Sequence, residues 1–148
     1  MNVYFVCTGN TCRSPMAAAI LMHKNLPNVE VKSAGVYALD GGEMSVNAQA
    51  VLNEQEIPHQ HRSAQVTEEN LKWAHLVLTM TRAHKEMILH NYPQFADKTF
   101  TLKEYVTPYT ELDVSDPFGG DLRLYRQTFE ELKKLIEQFE ERYKEELS

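Results

Sequence analysis

The sequence predicts a doubly wound α/β fold in which a four-stranded parallel sheet carries helices on both faces. Three observations point to it. Short β-branched or aromatic runs alternate with helix-forming stretches along the whole chain. Two of those runs, Val3-Tyr4-Phe5-Val6 and Leu76-Val77-Leu78-Thr79-Met80, are apolar throughout, as suits strands buried on both faces. The chain then ends in one long amphipathic segment able to cover a sheet face. At 148 residues with 43% hydrophobic content, the protein has the size and composition of one domain spanning residues 1–148. It contains no internal repeat, low-complexity segment or linker.

The elements follow in order. Residues 3–7 form the first strand, and Cys7-Thr8-Gly9-Asn10-Thr11-Cys12-Arg13-Ser14-Pro15 turns from it into a helix over 14–25, with proline near the first helical position. Ala17, Ala18, Leu21 and Met22 are available for the inner side of that helix, and Pro27 ends it. Residues 29–33 alternate apolar and polar as a second strand, and 35–43 form a loop that bends at Gly41-Gly42. A helix over 45–56 stops before Pro58. Thr67-Glu68-Glu69-Asn70 reads as a helix cap followed by early acidic residues. The strand at 76–80 meets a helix that runs from Thr81 to Asn91, closed by Tyr92-Pro93, and 99–102 make the fourth strand. The polar stretch 106–115, with Pro108, is a surface loop delivering Asp116. In the last helix Leu122, Tyr125, Phe129, Leu132, Ile136, Phe139 and Tyr143 step by three and four, while Glu130-Glu131 and Lys133-Lys134 fall on the solvated side.

The turn after the first strand carries the chemistry. A strand-to-helix turn aims backbone N–H groups and the positive end of a helix dipole at one point, which suits a phosphate dianion. Thr8, Gly9, Asn10, Thr11, Cys12 and Ser14 would line such a cup, with Cys7 at its floor. The donors that attract phosphate also favour thiolate over thiol, so Cys7 is the candidate nucleophile. Arg13 is placed to lay its guanidinium fork across two phosphate oxygens, where lysine would offer a point charge. A leaving group expelled from phosphorus needs a proton, and Asp116, with Pro117 stiffening the backbone after it, is the candidate acid. Asp113 is its nearest rival and precedes Val114 rather than proline. Ser14 has a second reading as a helix N-cap.

Cys-x5-Arg-Ser after an N-terminal strand is the signature of cysteine-based phosphatases, and with Ser33-Ala34-Gly35, His61, Leu76-Val77-Leu78-Thr79-Met80-Thr81 and Asp116-Pro117 the sequence resembles the low-molecular-weight protein tyrosine phosphatase family over nearly its whole length. The resemblance implies a phosphocysteine intermediate, with Asp116 acting first as acid and then as base for the hydrolytic water. It implies that Ser33 and His61 hold the Asn10 side chain so the loop stays open, and that Ser14 donates to the departing Cys7 sulfur. It also implies that Cys12 can trap oxidised Cys7 as a reversible disulfide; a buried filler in the loop is the plain alternative.

Thr11 and Asp116-Pro117-Phe118-Gly119-Gly120 depart from the tyrosine-specific pattern and resemble the bacterial protein arginine phosphatase branch. Tyrosine phosphatases of the family usually carry a larger aliphatic residue at the position of Thr11. A small hydroxyl-bearing residue accommodates the flat, polar guanidinium of phosphoarginine, where a branched aliphatic would clash. Guanidine, with a pKa roughly above 12 against about 10 for phenol, leans more heavily on Asp116 as it leaves. Phe118 is expected to form one wall of the substrate slot, and Tyr37 or Leu39 the other. Phosphorylated proteins are thus the expected partners, bearing phosphoarginine or, in the alternative reading, phosphotyrosine.

Composition narrows the remaining classes. The net charge of −6 argues against nucleic acid or an acidic membrane as the main partner. The longest apolar run, Met16 to Met22, is too short to span a bilayer, and no basic segment marks a secretion signal. Two cysteines five positions apart make no disulfide framework and fit a reducing compartment. A cytoplasmic monomer without cofactor or metal is expected. His23, His59, His75, His84 and His90 lack metal-ligand spacing and are assigned to surface or strand-edge positions, and the Cys-x4-Cys pair lacks a second ligand pair for zinc. Arsenate reductases share the fold and loop but need a further cysteine. A non-catalytic phosphoprotein-binding module would not need the nucleophile, arginine and acid together.

Overall fold

A computed structural model describes residues 1–106 and 111–147. Four parallel strands make one sheet in the order β2-β1-β3-β4, with β1 at Asn2–Cys7, β2 at Glu30–Gly35, β3 at Leu76–Thr79 and β4 at Thr99–Thr101. Alternation along β1 divides the core. Val3, Phe5 and Cys7 face one side, where they pack with Met16, Leu21, Leu52, Phe129, Leu132 and Ile136. Tyr4 and Val6 face the other, against Leu71, Val77, Ile88 and Phe95. The first side is covered by α1 (Arg13–Lys24), α2 (Val46–Glu54), α5 (Leu102–Val106) and α6 (Leu122–Leu147), and the second by α3 (Glu68–Trp73) and α4 (Arg82–Asn91). No helix among the described residues is long and apolar enough to cross a membrane.

Register brings the working ends together. Cys7 pairs with Gly35, Val6 with Thr79, and Thr79 with Thr101, so the C-terminal ends of all four strands meet at one edge. Strand order reverses between β1 and β3, and in open α/β sheets the crevice beyond such a switch point is where ligands bind.

The expected elements are present, with five corrections. Leu102 belongs to α5 and not to the fourth strand. Thr101 Oγ1 accepts from Glu104 N at 3.1 Å and Glu104 Oε1 accepts from Thr101 N at 2.9 Å, a reciprocal cap that starts a helix where the strand was expected to continue. Pro93–Lys98 forms two short 3-10 turns kinked at Phe95 in place of a plain break. The helix expected to reach residue 56 ends at Glu54, because Glu56 adopts the left-handed region at φ 56°. Met22 is 53% exposed, since β2 is an edge strand and Met22 lies along the open cleft beside it with Ala18 and Ala19. In α6 the expected stripe from Tyr125 to Tyr143 is buried, and Leu122 is partly so. The expected Thr67 cap forms, accepting from Asn70 N, and Ser45, expected inside the helix, instead caps α2 by accepting from Ala48 N. Pro108, part of the expected 106–115 loop, lies outside the described residues.

Candidate active site

The loop from Thr8 to Cys12 is held from outside by its own carbonyls. Val36 N donates to Cys7 O, Tyr37 N to Thr8 O and Ser45 N to Thr11 O, each at 2.9 Å, while Ser63 Oγ and His61 Nε2 reach Asn10 O at 2.8 and 2.6 Å. Among the described residues, no backbone carbonyl accepts from the N–H groups of residues 9–13. The donors of residues 9–12 remain available to an anion at the N-terminus of α1, while the Arg13 N–H turns to the Cys12 thiol. The loop lies so close to β2 that a Cβ on Gly35 would fall 2.3 Å from Thr8 O and 2.9 Å from Asn10 N. Only glycine permits that approach.

Asn10 is the hub of the loop. It is fully buried at φ 57°, a left-handed conformation that asparagine tolerates better than most residues. Its Nδ2 donates to Ser14 Oγ at 2.8 Å and to Ser33 Oγ at 3.0 Å, and its Oδ1 accepts from Ala64 N at 3.0 Å. Ser33 thus holds the side chain as expected. His61 does not: its Nε2 bonds the Asn10 backbone carbonyl, while the amide hydrogens go to Ser14 and Ser33 and the amide oxygen accepts from Ala64 N. Burial lowers the pKa of His61 despite that bond. Ser63, which the sequence reading missed, shares the same carbonyl.

Cys7, 2% exposed, ends β1 with its Sγ 2.8 Å from Ser14 Oγ. Ser14 is not the helix N-cap; α1 starts at Arg13, Cys12 stands at the cap position without a side-chain bond, and the Ser14 side chain points inward. Cys12 is buried, and that burial, reinforced by Cys7, pushes its thiol up to about 11. Both thiols are free.

Arg13 is 4% exposed. Its Nη1 donates to Val114 O at 3.2 Å, and its Nη2 lies 3.5 Å from Asp116 Oδ2. The segment bearing Asp116 is fixed at two points, where Val114 N donates to Met80 O and Asp113 Oδ1 accepts from Arg82 N, both at 2.8 Å. Asp113 is therefore an anchor at the start of α4 rather than a free loop carboxylate. Asp116 is half exposed and turns its other oxygen to Phe118 N at 3.1 Å. Phe118, Tyr37 and Leu39 are exposed side chains on loops at this edge, and Thr11 is half-buried in the loop wall.

His84 corrects a further expectation. It is 5% exposed, with Nε2 2.7 Å from Thr8 Oγ1, and burial together with the Arg13 charge lowers its pKa to about 4. It is buried because α4 begins after a two-residue gap from β3 and its first turn points His84 at the loop while Arg82 and Ala83 face solvent; position in that first turn was the only sequence signal.

The model of the low molecular weight phosphotyrosine protein phosphatase family matches residues 2–148. The chain belongs to that family. Among relatives in the phosphotyrosine phosphatase family, a protein-arginine-phosphatase of Geobacillus stearothermophilus is 53% identical over 141 residues, covering 95% of each chain. One of Bacillus subtilis is 46% identical over 147 residues, covering 97% of each. A solved arginine phosphatase, a C7S mutant with a phosphorylated active-site serine, superposes with a TM-score of 0.92 at 45% identity, covering 97% of this chain and 96% of that one.

Proposed function

We propose that the protein is a protein arginine phosphatase that works through a phosphocysteine intermediate. The observation that carries the reading is the convergence of Cys7 Sγ, the Ser14 hydroxyl and Arg13, paired with Asp116, around backbone donors that the fold leaves unused. The phosphoryl group sits in the loop, with backbone N–H groups from Thr8 to Cys12 and the Arg13 fork on its oxygens. The Cys7 thiolate attacks phosphorus, Asp116 gives its proton to the departing guanidino nitrogen, and the P–N bond breaks to leave phosphocysteine and arginine. Water then attacks phosphorus as Asp116 takes its proton, and the sulfur leaves with its electron pair toward the Ser14 hydroxyl. The solved relative with a phosphorylated serine at its nucleophile position supports the covalent step.

Thr11 in the loop wall, together with the two relatives named protein-arginine-phosphatase, supports phosphoarginine on proteins as the substrate. Phe118 and either Tyr37 or Leu39 would flank the guanidinium, Asn10 with Ser33 and His61 would keep the loop open, and Cys12 would capture oxidised Cys7. The enzyme is read as a cytoplasmic monomer. The aromatic rim of Tyr37 and Phe118 favours phosphotyrosine as the second reading. Phosphate release from matched phosphoarginine and phosphotyrosine peptides decides between them: faster release from phosphoarginine is expected, and equal or faster release from phosphotyrosine overturns the arginine reading.

A further inference from the structure

His84 and the Thr8 side chain have no part in the chemistry above, which uses Thr8 only through its backbone, yet their geometry is that of a built contact. Thr8 follows Cys7 directly and is exposed at the mouth of the loop, with its carbonyl held by Tyr37 N. His84 is buried beneath it, carried by the first turn of α4, and feels the charges of Arg13, Asp113 and Asp116. Arg82 N in that same first turn donates to Asp113 Oδ1 at 2.8 Å, so the pair stands on the side of the mouth where the segment bearing Asp116 is fixed.

A neutral imidazole carries one proton, and its position decides what Thr8 can do. Nε2 is bonded to Thr8 Oγ1, while Nδ1 is buried and, among the described residues, has no partner. A buried N–H with no acceptor costs more than a buried bare lone pair, and orphaned N–H groups are the rarer of the two in folded proteins. The proton then resides on Nε2. Thr8 Oγ1 accepts it, and the Thr8 hydroxyl hydrogen is left over.

We propose that His84 is a positioning residue for substrate binding: its Nε2–H donates to Thr8 Oγ1 and directs the Thr8 hydroxyl hydrogen to a phosphoryl oxygen on the Asp116 side of the cup. The proposal rests on the reading of residues 7–14 as a phosphate cup. It adds one side-chain donor to the backbone donors of the loop, held by a group that never touches the substrate.

The test is titration calorimetry of the full chain with inorganic phosphate, comparing Thr8→Val, His84→Leu, His84→Gln and the Thr8→Val/His84→Leu double variant. Loss of one hydrogen bond to a charged oxygen should weaken phosphate binding roughly tenfold in each of the first two. The double variant should be no weaker than either single one, and His84→Gln, whose amide can donate from a similar position, should recover most of the affinity. Wild-type affinity in Thr8→Val, or additive losses in the double variant, overturns the proposal. If His84→Leu does not fold, long-range nitrogen NMR of the wild-type imidazole serves in its place: a proton on Nε2 is expected, and one on Nδ1 refutes it. Phosphate binding is read independently of turnover. A chain that shows this pattern but spares phosphoarginine sinks the proposed function alone.

Discussion

Thr11 is half-buried in the wall of the loop, its hydroxyl on the side nearest Gly9 and its carbonyl taken by Ser45 N. Thr11→Ile preserves branching at Cβ while replacing the hydroxyl with apolar bulk, so the loop should keep its shape and lose its polar wall. The expected result is a fall of about tenfold or more in kcat/KM for phosphoarginine peptides with little loss for phosphotyrosine peptides, measured side by side. An unchanged ratio removes Thr11 as the selector. At this scale the sequence was legible where chemistry is local: Cys7, Arg13 and Ser14 lie within one turn, and their grouping needs no tertiary knowledge. It was illegible where a contact spans the chain. The partners of Asn10 include Ser63 and Ala64, more than 50 positions away, and that of Thr8 is 76 positions away. Nothing in the composition around His84 distinguishes it from an exposed helix residue; only the docking of α4 against the loop buries it.

Among the elements, β1, β2 and the loop behave as a unit because Gly35 lets two backbones approach. In Gly35→Ala the added methyl would overlap Thr8 O, and backbone on both sides resists the shift. A loss of roughly 1–3 kcal/mol in urea unfolding is expected, with phosphate affinity falling along with it as the loop is pushed from its position. Weakened stability with intact phosphate affinity would show that the loop tolerates the displacement. The reciprocal cap at the start of α5 offers a milder case. Thr101→Ala should cost about 1 kcal/mol and leave activity near normal, since the cap stands at the end of β4 rather than in the loop. That cap was present in the sequence as Thr101-Leu102-Lys103-Glu104. The alternation of Thr99-Phe100-Thr101-Leu102 masked it, because strand periodicity and a capping pattern overlap on the same four residues.

Across the whole molecule, buried histidines make stability depend on pH. His84 has a folded pKa near 4 against an ordinary value of 6.5, and burial lowers His61 as well. A histidine with a depressed folded pKa binds its proton more tightly in the unfolded chain, so unfolding takes up protons between the two values. Its contribution is therefore full above about pH 6.5 and is lost as the pH falls toward 4. Thermal melts over that range should show the midpoint falling with acid, and the drop should be smaller in His84→Gln, which cannot titrate. A pH-independent midpoint would contradict the burial of these imidazoles. The overall architecture was the most legible part of the chain, since alternating elements and the stripe of α6 are fixed by patterning that runs over many residues.

The loop's internal order also has a thermodynamic consequence. The Asn10 side chain is engaged by Ser14, Ser33 and Ala64, and the surrounding carbonyls are tied to Val36 and Tyr37 just past β2, to Ser45 at the cap of α2, and to His61 and Ser63. A small oxyanion entering this site freezes few backbone torsions and covers little apolar surface. Its binding should accordingly show a heat-capacity change close to zero and an enthalpy nearly constant with temperature, the calorimetric mark of a receptor that was finished before its guest arrived.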